Sequence, residues 1–473
     1  MADLPTQPAQ NRQAKFLTGN LFTHVCVMSL TSSVGLMALF FVDFVDMIFI
    51  SMLGKAELAA AVGYAGAILF FTTSFGIGMA ISAGALVARA LGAGREQEAR
   101  TRATNSLIYG VTFGALFAAA VWSQLEVLVA LLGATGETAD LAVHYLTIII
   151  PSLPLLLIGM VGGAILRAHG DARRAMFATL YGGAVNAVLD PILIFGLDLD
   201  LTGAALASVA ARVVIAATSL LPILRHYGGF QWSGFGPLFK DFPPVLGIAL
   251  PAILTQLATP IGQAYVTRAM AEFGELAVAG MAIVGRLTPL AFGVMFAMSG
   301  AVGPIIGQNY GAGNPDRVRG GFRAGLIFAG LVTVFMTGLL FILRAPIADL
   351  FSATGITRDL IYLFCGPLAL LFFFNAMLFV SNAAFNNLGY PYNSTLVNWG
   401  RHTLGTVPLV MLGAALFGAP GVLIGQSLGG VIFGLLAFVM ARRIMARLDD
   451  TPAASAMPFQ RQRRLLRLFN LRR

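Results

Sequence analysis

Apolar residues fill this chain in long blocks, too long for strands and too continuous for the one-sided stripe of a soluble helix. A helical bilayer crossing takes roughly 20 apolar residues, and blocks of that size recur along nearly the whole chain, parted by short Gly, Pro and charged punctuation. The pattern predicts twelve helical spans, at 21–53, 58–87, 104–132, 141–166, 175–195, 201–224, 245–270, 276–306, 325–343, 360–384, 395–416 and 420–440. A β-barrel would show short alternating strands instead. The run after Lys15 is too long for a cleavable signal peptide and has no small-residue cleavage site, so the first helix is expected to remain as its own insertion signal.

Composition agrees with the pattern. Of 473 residues, 58% are hydrophobic and 11% charged, and mean hydropathy is +0.82, values of a polytopic all-α membrane protein. A net charge of +9 raises the question of nucleic acid, but its placement excludes that reading. Arg12, Lys15, Arg89, Arg95, Arg100, Arg102, Arg167, Arg173, Arg174, Arg225, Lys240, Arg317, Arg319 and Arg323 fall between alternate spans or before the first. The opposite segments hold Glu137, Asp140, Asp198 and Asp200, with few cations beyond Lys55, Arg268, Arg344 and Arg358. This positive-inside asymmetry predicts that both termini are cytoplasmic, in a cell inner membrane. The tail 461–473, which mixes Arg with Leu and Phe, reads equally as an amphipathic helix on anionic lipid or a solvated end. Cys26 and Cys365 lie in separate apolar runs and give neither a disulfide framework nor a metal site.

The two halves share punctuation at a shift of about 219 residues. Arg89-Ala-Leu-Gly-Ala-Gly94 answers to Gln308-Asn-Tyr-Gly-Ala-Gly313, Glu57-Leu-Ala-Ala-Ala61 to Glu275-Leu-Ala-Val-Ala279, Arg167-Ala-His-Gly170 to Asn386-Asn-Leu-Gly389, and Asp190-Pro191 falls near Val407-Pro408. Duplicating an even number of spans gives parallel copies, hence two pseudo-symmetric six-helix lobes about an axis along the membrane normal, with a cavity between them. The expected division is an N-terminal segment 1–20, an N-lobe 21–224, a polar Gly- and Pro-rich linker 225–244, a C-lobe 245–441 and a basic tail 442–473.

The candidate chemistry lies in three acids that stand where hydrocarbon is expected, Asp43 and Asp46 in the first span and Asp190 in the fifth. An ionised carboxylate at that depth costs several kcal/mol, so such groups ordinarily face a hydrated cavity and handle ions. Asn186 and Asp190, four apart, share one helix face, as do Asp43 and Asp46, three apart. Asp46 and Asp190 both lie within roughly 10 Å of the outer ends of their spans. Brought together in a poorly hydrated pocket they would repel, and a proton or Na+ would relieve the repulsion. Pro191 removes a backbone donor just beyond Asp190 and is expected to bend that span. The C-lobe spans contain no Asp or Glu, and they carry Arg286, Arg401 and His402. Met and Phe richness, including Met295, Met298 and 372–374, furnishes either an adaptable apolar surface or plain core and lipid contact.

With repeat and motifs together, the chain resembles the MATE family, the multidrug and toxic compound extrusion transporters, over essentially its full length. The resemblance rests on Val42-Asp-Phe-Val-Asp-Met-Ile-Phe-Ile-Ser-Met-Leu-Gly54, the Gly92-Ala-Gly94 and Gly311-Ala-Gly313 turns, Leu166-Arg-Ala-His-Gly-Asp171 and Gly182-Gly-Ala-Val-Asn-Ala-Val-Leu-Asp-Pro191, the last similar to the DinF-like branch. It implies an antiporter that exports small cationic amphipathic compounds in exchange for H+ or Na+, with no further cofactor; a two-lobed transporter of this size can work as a monomer. It also implies cation-coupling roles for Asp46, Asn186, Asp190, Tyr145 and Ser208, with Asp46, Asp190, Asn186 and Ser208 as the oxygen ligands of any Na+. Asp43, Pro191 and Arg286 stand as auxiliary candidates. Thr31 occupies a position where many members bend the first helix with proline, and Ser208 stands for the family's threonine while keeping its hydroxyl.

Two competing readings have recognisable signs. A flippase or exporter of a lipid-linked or other endogenous anionic metabolite would show a cavity lined by Arg286, Arg401 and His402. An intramembrane enzyme would use Asp46 and Asp190 as a dyad, yet it lacks a Gly-x-Gly-Asp context and a second acidic metal-binding motif. The Gly-Ala-Gly turns are not phosphate loops, since no Gly-Lys-Ser/Thr follows them.

Overall fold

The computed structural model describes residues 14–53 and 55–449, excepting the side chains of Asp43, Ser51 and Ala56. The basic tail 461–473, Arg12 and the Asp43 side chain therefore lie outside the described residues. Ten apolar helices follow one another as α1 Leu21–Ile50, α2 Glu57–Gly92, α3 Glu96–Trp122, α4 Gly136–Ala168, α5 Ala172–Gly196, α6 Asp200–His226, α7 Phe235–Ala271, α8 Glu275–Gly311, α9 Pro315–Leu350 and α10 Gly355–Leu388. The last helical stretch, Pro391–Ala446, is long enough to cross twice. It breaks at Gly418, whose φ of 64° and ψ of −143° leave the helical region and whose positive φ suits glycine.

Backbone contacts show that the chain folds back there. Gly413 lies against Gly421, Gly425 against Leu409, and Gly429 against Gly405, each so close that a Cβ would meet the facing backbone within 3.0 Å. The two arms, α11 (391–417) and α12 (419–446), complete the twelve spans of an all-α membrane fold.

The helices pack as two copies of one six-helix unit. In the first, α1 packs on α5, α5 on α6, α2 on α3 and α4, and α4 on α6. The second repeats this with α7 on α11, α8 on α9 and α10, and α10 on α12. Between the lobes α1 and α2 meet α7, α8 and α9. One apolar core fills each lobe, around Leu146, Leu157 and Ile165 in the first and around Phe292, Phe385 and Met298 in the second.

Helix α7 begins at Phe235, so the expected linker 225–244 is coil only in its first half and Pro243 and Pro244 fall inside a helix. Tertiary contacts hold this first part of α7 against α3. The Tyr109 hydroxyl donates to the Leu238 carbonyl, Asn105 Nδ2 donates to Asp241 Oδ2 at 2.8 Å, and Phe242 packs on Phe113 and Tyr109. Pro191 does not simply kink α5. It closes the α-helical part and passes the chain into a π turn, Ile192–Gly196, a loosened geometry that recurs at functional sites.

At the arginine-rich end the lobes are latched by matching contacts. Arg89, 7% exposed near the end of α2, donates from Nε to the Asn387 carbonyl at 2.7 Å and from Nη2 to the Asn386 carbonyl at 2.9 Å. Its repeat counterpart Gln308, fully buried near the end of α8, donates from Nε2 to the Ala168 carbonyl at 2.8 Å and accepts from the Phe16 amide at 2.9 Å. Each lobe thus satisfies carbonyls left open at the end of a helix in the other. Only glycine permits the approach: a Cβ on Gly92 would stand 1.9 Å from the Gln308 carbonyl oxygen, and one on Gly311 2.1 Å from that of Arg89. Toward the opposite end, Gly63 and Gly66 on α2 and Gly285 on α8 face open space.

Candidate functional site

The acid pocket is built inside the N-lobe. Asp190 is fully buried on α5 and Asn186, 4% exposed, lies one turn before it; Asn186 Nδ2 donates to Asp190 Oδ2 at 3.3 Å. Helix α1 brings Asp46 alongside, and the Asp46 and Asp190 carboxyls face each other within hydrogen-bonding reach. Oδ1 of each is buried and finds no hydrogen-bond donor among the described residues. Like charges at such separation in a dry pocket repel strongly, so the pair is stable with a cation, a proton or a metal ion, held between the oxygens.

Tyr145, 7% exposed on α4, lies within reach of both acids and of the Ser208 hydroxyl on α6. Five residues anticipated from the sequence, Asp46, Asn186, Asp190, Tyr145 and Ser208, are therefore brought together from four helices of one lobe. Pro191 adjoins them through the π turn. Arg286 does not join them; it is exposed on α8, in the other lobe.

Sequence reasoning missed Arg212. It lies one turn beyond Ser208 on α6, beside Tyr145, and its Nη1 donates to the Ile149 carbonyl at 3.1 Å and to Ser152 Oγ at 2.8 Å. A lone arginine inside the sixth apolar run, four residues from a candidate ligand, was the available signal. Its positive charge acts on the Tyr145 hydroxyl, which also feels both acids. Among the described residues no group of three or more His, Cys, Asp or Glu is placed to hold a metal ion. A Na+ here would depend on the oxygens of Asp46, Asp190, Asn186 and Ser208.

Two duplicated six-helix lobes, latched at one end and carrying a buried acid pocket in one copy, define a membrane transporter of the two-lobed type rather than an enzyme. The chain belongs to the MatE family, whose model matches it twice, over residues 32–192 and 251–411, at the same offset as the sequence punctuation. It is similar to a FAD transporter of Shewanella oneidensis, 28% identical over 443 residues covering 90% of this chain and 95% of that protein. It is also similar to the multidrug export protein MepA of Staphylococcus aureus, 22% identical over 440 residues, with the same coverage. A solved outward-facing multidrug resistance MATE transporter superposes with a TM-score of 0.87 at 23% identity, covering 94% of this chain and 100% of that one, a likeness of fold.

Proposed function

We propose that this transporter is a secondary antiporter of the bacterial inner membrane, working by alternating access, in which the Asp46–Asp190 pair exchanges H+ or Na+ against an exported organic compound. The arginine-rich end, with both termini, is the cytoplasmic one on charge asymmetry, and the structure then represents a state closed to the cytoplasm. The observation that carries the coupling is the facing of a buried and a half-buried carboxyl, each with a buried, unpartnered oxygen. Asn186, Tyr145 and Ser208 orient the pair and complete its oxygen shell. H+ is favoured over Na+, because two carboxyls within hydrogen-bonding reach of each other can share a proton with no further ligand.

For the cargo, cationic amphipathic compounds fit the family resemblance and the name of MepA. A cation entering the acid pocket would displace the coupling ion directly. A second cargo class, an endogenous anion, is supported by the similarity to a FAD transporter. The coupling ion is tested in proteoliposomes loaded with an organic cation such as ethidium. Efflux under a pH gradient alone, with none under a Na+ gradient alone, is the expected result; the reverse pattern would overturn the choice of H+.

A further inference from the structure

The C-lobe has no acid pocket among its described residues, yet it holds positive charge within the helix bundle, on the half-buried Arg401 beside the buried His402. Arg401 opens a π turn, Arg401–Gly405, in the middle of α11. The turn is wedged against α12, where Gly400 and Gly405 both pack on Phe433. His402, 6% exposed, faces Gly262 of α7, and its Nε2 is buried with no hydrogen-bond partner. Asn375 of α10, 9% exposed, lies against Gly430, one turn from Phe433 on α12. Its side-chain oxygen is likewise unpartnered, and an amide so placed rotates readily to offer its NH2 instead. Arg401, His402 and Asn375 thus occupy one level of the lobe, where α7, α10, α11 and α12 meet.

Arg401 shares with Arg167 of the N-lobe, and not with Arg89 or Arg212, the lack of a compensating partner among the described residues. Arg89 is capped by two carbonyls, and Arg212 has a carbonyl, a hydroxyl and the neighbouring Tyr145. For the Arg401 guanidinium no hydrogen bond or ion pair is formed among the described residues, and the charged neighbour of His402 is Arg401 itself. The acids of the packed helices are remote: Asp241 is bound to Asn105 at the arginine-rich end, and Asp359 lies sixteen residues before Asn375, roughly 24 Å along α10. An uncompensated guanidinium in a membrane-embedded lobe costs several kcal/mol, which a bound anion removes.

We propose that Arg401, with His402 Nε2 and the Asn375 amide, forms a cargo subsite in the C-lobe for the phosphate group of an organic anion. Guanidinium matches phosphate with two parallel hydrogen bonds, which lysine does not reproduce. This rests on the anionic-cargo reading and is independent of which ion drives transport. Because the subsite and the acid pocket lie in different lobes, anion and coupling ion do not compete for the same atoms, and their coupling passes through the change of conformation.

The test uses the purified full-length protein in nanodiscs and the fluorescence anisotropy of riboflavin, which has no phosphate, FMN, which has one, and FAD. FMN and FAD are expected to bind at least about tenfold more tightly than riboflavin. Arg401→Gln should reduce FMN to the level of riboflavin, and Arg401→Lys should recover part of the loss. Arg344→Gln, a C-lobe arginine lying over Phe341 and Tyr362, should bind FMN as the wild type does, so that a general loss of positive charge is told from the loss of this one. Competition by ADP or by short-chain phosphatidic acid tells a soluble phosphate ester from a lipid one, and displacement by either upholds the subsite. Equal binding of riboflavin and FMN, or undiminished FMN binding in Arg401→Gln, would overturn it. Should Arg401→Gln fail to fold by gel filtration, His402→Gln carries the same test with a smaller expected loss.

Discussion

Residue by residue, legibility followed charge. Asp46, Asn186 and Asp190 stood out because polar groups inside apolar runs are costly and need a reason, and the structure places them together. Tyr145 and Ser208 were reachable only through family resemblance, since a hydroxyl in a helix more often bonds its own backbone. Arg212 and Arg401 show what local pattern leaves out: whether a buried arginine is compensated depends on carbonyls and acids of other helices. A residue outside the spans gives a direct stability test. Burial pushes the Asp171 carboxyl up, but the Tyr227 hydroxyl at 2.7 Å and the Arg174 amide and guanidinium at 3.1 and 2.6 Å outweigh it and hold it below its ordinary range. The same contact and burial push Tyr227 up to about 12. Asp171 also caps α5, so Asp171→Ala should cost about 1–2 kcal/mol at pH 7. A depressed folded pKa means that this contribution is full above the ordinary aspartate value of about 4 and fades as pH falls through the folded one. Thermal melts of wild type and variant should differ at pH 7, and the difference should shrink as pH falls below the ordinary aspartate value of about 4; a constant difference would contradict the assignment.

At the scale of elements, the apolar blocks located the helices, but their interruptions followed other physics. Pro191 signalled the end of regular helix in α5, and its counterpart Pro408 withholds a donor from the Leu404 carbonyl inside the π turn Arg401–Gly405, where Phe433 packs on Gly400 and Gly405. The helical start of α7 escaped notice because proline and glycine suggested coil, and packing on Tyr109 and Asn105 prevailed. The Gly92 and Gly311 turns were visible as repeat marks, and the structure adds their use, the close crossing of α2 and α8 that seats Arg89 and Gln308. Gly92→Ala should therefore prise the latch open. In a background lacking Cys26 and Cys365, a cysteine introduced by Ala88→Cys, at a site fully buried beside Gly307, should react with a cytoplasmic maleimide several-fold faster in Gly92→Ala than without it. Equal labelling would show that the latch does not hold the lobes together.

For the whole molecule, duplication was readable as shared punctuation, and equivalent helix pairings in the two lobes now account for it. The copies differ in charge: one holds facing acids, the other an unpaired arginine and histidine, and the division of ion and cargo handling between lobes proposed above follows that difference. That division could not be read from either half alone, because it rests on which side chains meet across helices. Its central claim is that the Asp46–Asp190 pair carries the coupling ion. The most direct measurement is efflux from proteoliposomes of wild type and Asp190→Asn, with and without an imposed pH gradient. The account predicts gradient-driven efflux for the wild type and a variant that inserts normally, exchanges cargo at most passively and ignores the gradient. Gradient-driven efflux by Asp190→Asn at the wild-type rate would contradict it.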